Sequence, residues 1–291
     1  MDTQAALATL GVNPDAMTAQ QKQDLDENGY FVIENALTPE QCKRMAAEVD
    51  RIAMLEGENA GNEVSQEPGS LRISNIFNKS DVFDELLVIK PLLSASRYLL
   101  GDFKVHGANI REPRKGHGKQ PLHSDSVMYE DGTWALVNAL ICFDDMTLDN
   151  GPTRVVPGSH KWGPLNVPGE NAADYHKRSH AQPHRWAVEG DNIADHVAES
   201  PLSGDVSRAP TDPFAPFDGE VKVTVPAGSV VVTNAHIWHS GTLKHTDERR
   251  RQLHLSYTRR DLPQQLVQRN YLTPQFNARL GEPMRYLLDV Q

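Results

Sequence analysis

Hydrophobic positions follow two periods along this chain, and the change falls near Phe103. Before it, apolar residues recur at helical spacing; after it, they alternate. Thr18 and Gln21 form a capping box, so a short helix should run to the Asn28-Gly29 stop. Tyr30 to Ile33 reads as a strand. Thr38, Pro39 and Gln41 supply a cap, a first-turn proline and a box partner. The helix they open should reach Glu56, because Met45, Ala46, Val49, Ile52 and Ala53 share one face, and Gly57 ends it. Residues 57–80 are polar and rich in Gly, Asn and Ser, which predicts a loop. A further helical stretch covers Val82 to Leu100, interrupted near Pro91 and stopped by Gly101, and the helical part should finish there.

From Phe103 the pattern predicts strands at 103–111, 121–128, 134–143, 153–156, 221–225, 229–235 and 250–258. Asp131-Gly132, Asn150-Gly151, Pro157-Gly158 and Pro226-Ala227-Gly228 punctuate them as turns. Many short strands between such turns argue for a sandwich or barrel. Residues 160–220 show little periodicity and many prolines. A stretch of that length inside a compact domain is functional or disordered. Its histidines, His160, His176, His180, His184 and His196, lack the tight spacing of a metal site and read as solvated loop residues.

Composition narrows the classes. The 291 residues suffice for one large β domain, and 38% hydrophobic with 23% charged residues fits a globular chain with an ample core. A formal net charge of -10 argues against a nucleic-acid partner, which needs a basic excess; Arg249, Arg250 and Arg251 are too local to supply one. Cys42 and Cys142 do not make a disulfide framework and suit a reducing compartment. No apolar run reaches membrane-spanning length, and the start lacks a signal-peptide pattern. The expectation is a soluble, cytoplasmic monomer or homodimer, with neither membrane nor nucleic acid as partner.

Candidate chemistry begins at His123-Ser124-Asp125. On a strand, alternation puts the imidazole and the carboxylate on one face. With a distant histidine they would form the two-histidine, one-carboxylate triad of non-haem Fe(II) sites. With 12 His in the chain, such a short motif arises about once by chance. A second copy, His245-Thr246-Asp247, lies in a charged run that reads as a solvated loop. The third ligand should come from the end of the buried strand leading into His236 and His239, with Ser240-Gly241 as a turn. Three apart on a strand, those two histidines face opposite ways, so only one can join. Asp144-Asp145 reads as a solvated turn, Cys142 as a buried thiol, and Trp134 and Trp238 as core or pocket wall.

Tyr30-Phe31-Val32, the His123/Asp125 pair, the run from Asp149 through Asn150-Gly151-Pro152-Thr153-Arg154-Val155-Val156-Pro157-Gly158-Ser159 to His160, and Trp238-His239-Ser240-Gly241 followed by Arg250 resemble the phytanoyl-CoA dioxygenase family. The resemblance covers nearly the whole chain in the right order. It implies a double-stranded β-helix, or jelly roll: mainly β with flanking helices, cupin-like. One domain would then span 1–291, with a helical buttress over about 18–100, a core over about 103–260 and a 160–220 insertion. It implies Fe(II), 2-oxoglutarate and O2 as cofactor and cosubstrates. The metal ligands fall on His123, Asp125 and His239. The cosubstrate arginine, eleven residues beyond the distal histidine, falls on Arg250. Gln120, Thr153 and Arg72 match further 2-oxoglutarate contacts. The chain departs from the pattern at Lys244, where the family has Asn, and keeps a small hydroxyl at Thr246.

The implied activity is hydroxylation of an aliphatic carbon of a small-molecule metabolite, with release of succinate and CO2. Desaturation, epimerisation and ring formation occur on similar sites, whereas halogenating relatives lack the carboxylate that Asp125 supplies. Two neutral imidazoles and one carboxylate would leave a site charge near +1 with Fe(II). A guanidinium suits the far carboxylate of 2-oxoglutarate. Alternatives are a non-redox, metal-dependent cupin-like enzyme, which needs no Arg250, and a non-catalytic metal or 2-oxoglutarate-binding protein. Residues 57–80 and 160–220 are expected to flank the pocket mouth.

Overall fold

In the computed structural model, which describes residues 1–126, 128, 129, 132–167 and 207–291, two antiparallel sheets line one cavity. The strands are β1 (Tyr30–Ile33), β2 (Ser70–Ile73), β3 (Phe103–Pro113), β4 (Leu136–Cys142), β5 (Thr153–Val155), β6 (Val221–Lys222), β7 (Val230–Asn234), β8 (His239–Gly241) and β9 (Gln252–Arg259). Among the described residues the larger sheet runs β1-β7-β4-β9-β3-β2 and the smaller β6-β5-β8. This is a jelly roll, mainly β with helices on the outer face of the larger sheet.

Alternation decides what each face holds. On β9, Leu253, Leu255 and Tyr257 enter the apolar layer under the helices, while His254 and Ser256 line the cavity. On β4, Val137, Ala139 and Ile141 face the helices, and Asn138 and Leu140 face the cavity. Each buried aliphatic side chain contributes about 1.5–3 kcal/mol. A one-residue slip would forfeit that along whole strands and push His254 into the apolar layer, so the register is strongly specified.

The helices are α1 (Thr3–Thr9), α2 (Ala19–Asn28), α3 (Pro39–Glu56), α4 (Ile76–Lys79), α5 (Lys90–Leu100), α6 (Pro274–Arg279) and α7 (Glu282–Leu288). Both expected capping boxes form, at Thr18 with Gln21 and at Thr38 with Gln41. The break near Pro91 is there too: a 3-10 helix over Asp81–Val88 gives way to α5, with Pro91 in its first turn.

Four local expectations fail. Helices do not end at Leu100: α6 and α7 follow β9, and α1 precedes everything. They are too short to show periodicity, although the Thr273 cap and Pro274 were signals. Residues 57–80 hold β2 and α4; a short edge strand needs only one partner and no long apolar run. Among the described residues of 121–128 there is no strand, only isolated bridges at His123 and Met128. The amides of Leu122, His123, Ser124 and Asp125 bond to Pro213, His239, Leu165 and Ala235 in turn, so His123 keeps only a single bridge to His239. Ser240-Gly241 is not a turn: β8 pairs with β5, Val155 opposite His239. Most of the 160–220 insertion, residues 168–206, lies outside the described residues. Its flanks supply Trp162, Leu165 and Phe217, which pack on Trp238. Among the described residues no helix is long and apolar enough to cross a membrane.

Candidate active site

His123, Asp125 and His239 converge. One potential ligand atom from each lies within 4.8 Å of the others. Asp125 Oδ1 is 3.4 Å from His123 Nε2, and Oδ2 is 3.3 Å from His239 Nε2. Donors at about 2.1 Å from one ion and roughly a right angle apart stand about 3 Å from each other, so a small inward shift would close these on a metal. The backbone bridge between His123 and His239 sets their rings 4.4 Å apart. Ser124, between the two ligand candidates, turns away and donates to the His236 carbonyl at 2.9 Å.

The tautomers suit a cation. His123 Nδ1 donates to its neighbour carbonyl of Pro121 at 2.7 Å, and His239 Nδ1 to that of Ile237 at 3.0 Å. Each ring then presents the Nε2 lone pair inward. Asn138 Nδ2 donates to Asp125 Oδ2 at 2.6 Å, and Ser256 donates to Asn138 Oδ1 at 2.6 Å. Burial raises the Asp125 carboxyl, but the adjoining His239 and His123 outweigh it and hold it well below the usual carboxylate range. Burial and the neighbouring His239 lower His123, whereas for His239 the Asp125 carboxylate overcomes burial and raises it. A carboxylate between one buried and one half-buried imidazole is a donor set for a divalent cation.

His236 does not join this group. The chain leaves β7 at Asn234 and turns before β8, so strand alternation does not relate the two histidines. His236 is 2% exposed, with Nε2 2.9 Å from the Trp162 carbonyl and its ring 5.5 Å from Trp134. His245 is exposed, and its neighbour Asp247 pairs with Lys115. Asp144 and Asp145 are structural: Asp144 holds Arg251, and Asp145 accepts the Ala227 amide at 2.8 Å. Cys142 is a buried thiol pushed up to about 12 by burial.

The three arginines separate. Arg249 reaches Glu112 and Asp50, and Arg251 reaches Asp144 and Asp50, both on the helix side. Arg250 points inward and is 2% exposed. Its Nη1 donates to Gln252 Oε1 at 2.7 Å; among the described residues its Nε has no partner and no carboxylate pairs with it. Burial, then the nearby Arg111 charge, pushes it down to about 10. A buried cation of this kind calls for an anion.

Arg72, Gln120 and Thr153 line the cavity with the three metal candidates; Arg250 is not among its lining residues and bonds to Gln252. Gln120 Oε1 accepts from Gly241 N at 3.0 Å and from Arg111 Nη1 at 3.1 Å. Lys244, the departure from the family pattern, is buried, and its backbone pairs with His117 and Gly116. Sequence reasoning missed Arg111, Asn138 and Glu67. Arg72 and Arg111 are cross-strand neighbours, and Glu67 bridges them. Polar residues at Asn109 and Arg111 within an apolar strand were the available signal.

The sequence model of phytanoyl-CoA dioxygenase matches residues 25–252. An ectoine dioxygenase of Bordetella bronchiseptica is 31% identical over 175 residues, 57% of this chain and 56% of that protein. The chain thus spans little more than half the length of that relative. An L-proline trans-4-hydroxylase of Streptomyces griseoviridis is 26% identical over 80% of this chain and 83% of its own. Among solved structures, HygX from Streptomyces hygroscopicus with nickel and 2-oxoglutarate bound superposes with a TM-score of 0.57 at 17% identity, covering 85% of this chain and 89% of that one. The non-heme alpha ketoglutarate dependent carbocyclase SnoK from nogalamycin biosynthesis gives 0.60 at 18%, covering 92% of each. At such identity the superpositions establish the jelly roll alone. The family match, running from α2 into β9 through every strand between, makes this chain a member of the phytanoyl-CoA dioxygenase family.

Proposed function

We propose that the protein is a non-haem Fe(II)- and 2-oxoglutarate-dependent dioxygenase that hydroxylates an aliphatic carbon of a small-molecule metabolite, releasing succinate and CO2. The observation that carries this reading is Arg250, a buried guanidinium without a carboxylate partner among the described residues, in the same barrel as the His123, Asp125 and His239 donors. A non-redox metal enzyme on this fold uses the three donors and has no need of such a cation. The far carboxylate of 2-oxoglutarate supplies the missing charge.

In this reading His123, Asp125 and His239 hold the iron, Arg250 anchors the cosubstrate, and Gln120, Thr153 and Arg72 surround the rest of it. Bound Fe(II) supplies O2 activation coupled to decarboxylation of 2-oxoglutarate. The chain's own part is placement. The Pro121 and Ile237 carbonyls fix both tautomers, and Asn138 fixes the carboxylate. Asp125 fills the position that halogenation would leave to chloride. The names of the ectoine and L-proline relatives support a compact metabolite as substrate rather than a macromolecule. Free, buried Cys42 and Cys142 suit a reducing, cytoplasmic setting.

A metabolite screen scored by succinate, with Fe(II), O2 and 2-oxoglutarate present, tests the proposal. The expected result is one succinate per hydroxylated product with at least one compound. Turnover of a substrate without 2-oxoglutarate would point to the non-redox alternative.

A further inference from the structure

The outer edge of β3 is covered by two different partners. β2 pairs with Ile110 to Pro113 only. Ahead of that, the segment following β9, beyond the family match, takes over. Gln264 Nε2 donates to the Val105 carbonyl at 2.7 Å, and Leu266 N to the His106 carbonyl at 3.2 Å. Gln265 N donates to His106 Nδ1 at 3.2 Å. The β3–β9 register shifts between Val105 and Gly107, and His106 joins the cavity wall.

Gly107 then lets a side chain through. A Cβ there would stand 2.4 Å from Gln265 Oε1. Because it has none, the Gln265 amide lies across it and accepts from Asn109 Nδ2 at 2.8 Å. Asn109 is 6% exposed and lines the cavity, and its Oδ1 is buried and has no hydrogen-bond partner among the described residues. Leaving a buried acceptor unsatisfied is destabilising, because it has given up water and gained no donor. The imidazoles nearby do not charge to compensate: burial pushes His106 down to about 4 and His254 well below its ordinary value. The apolar part of the wall, Leu136, Leu140 and Val155, offers contact for a few carbons.

We propose that Asn109, held in place by Gln265, reads a hydrogen-bond donor on the primary substrate, which is therefore a compact molecule carrying a hydroxyl or N–H rather than a hydrocarbon chain. This rests on the dioxygenase reading and deepens it. Specificity then depends on a segment outside the matched family region, while metal and cosubstrate residues lie inside it.

The test uses the protein loaded with Ni(II) and 2-oxoglutarate, which does not turn over. Affinities for δ-valerolactam and its N-methyl derivative, which differ in one N–H, are read by ligand-observed NMR. The lactam should bind about fivefold or more tightly, the worth of one satisfied buried acceptor. Gly107→Ala should erase that preference, since its methyl expels the flexible end of Gln265 while the backbone at 107 is outside the left-handed region. Gln265→Leu should erase it too, so either variant serves if the other fails to fold. Equal affinities in the unaltered chain, no binding of either lactam, or an undiminished preference in the folded variants overturns the inference. Binding of 2-oxoglutarate is measured first. Its failure would remove the dioxygenase reading and this inference with it, whereas normal 2-oxoglutarate binding with no lactam preference removes the inference alone.

Discussion

Arg250 is the residue whose environment asks most for a ligand. Its two sequence neighbours are paired with carboxylates, and among the described residues it is not. Truncating one partner of a buried charged contact costs on the order of 2–5 kcal/mol. Arg250→Ala should therefore weaken 2-oxoglutarate binding at least about tenfold in titration calorimetry, with metal binding retained. Arg250→Lys should recover only part, because an ammonium cannot reproduce the planar fork. Arg249→Ala and Arg251→Ala should stay within a few-fold of the unaltered chain; a larger loss at Arg251 than at Arg250 would reverse the assignment. At the metal, His123→Ala, Asp125→Ala and His239→Ala should each lose iron on purification. His236→Ala and His245→Ala should keep it, since the one bonds to Trp162 and the other lies exposed. Iron content by elemental analysis decides between them.

Among the elements, β2 and the residues before it show how far pattern reading reaches. The long strands and capped helices were legible because alternation and capping boxes are local. Alternation also placed Gln252, His254 and Ser256 on one row of β9, apart from Leu253, Leu255 and Tyr257. What was illegible depends on partners distant in sequence. β2 is a strand because β3 offers an edge, His123 bridges His239 without any strand of its own, and the turn after Asn234 separates His236 from His239. Glu67 belongs to this class. Burial raises its carboxyl, but Arg111 and then Arg72 overcome that and bring it to about 2. A depressed folded value means that the contribution is complete above the unfolded value near 4.5 and is lost as pH falls toward 2. The shift corresponds to roughly 3 kcal/mol. Glu67→Gln should lower stability by about that order at pH 7 and flatten its fall between about pH 4.5 and 2, as followed by urea melts across that range. A variant as stable as the unaltered chain at pH 7 would show that the ion pairs are worth no more than their desolvation.

For the molecule as a whole, one apolar layer joins residues from Ala6 of α1 to Val290 beyond α7, by way of α3, α5 and the outer face of the larger sheet. We read the chain as one domain on that basis, the N-terminal helices being a wall of the barrel rather than a separate body. Fluorescence and far-UV circular dichroism should report one coincident thermal transition; two separated transitions would divide the chain. The measurement that bears most directly on the proposed activity is titration of 2-oxoglutarate into the anaerobic Fe(II)-loaded protein, beside the metal-free protein and the Arg250→Ala variant. One site per chain is predicted, dependent on both the metal and Arg250. Absence of binding to the loaded protein, or equal affinity in all three samples, would contradict it.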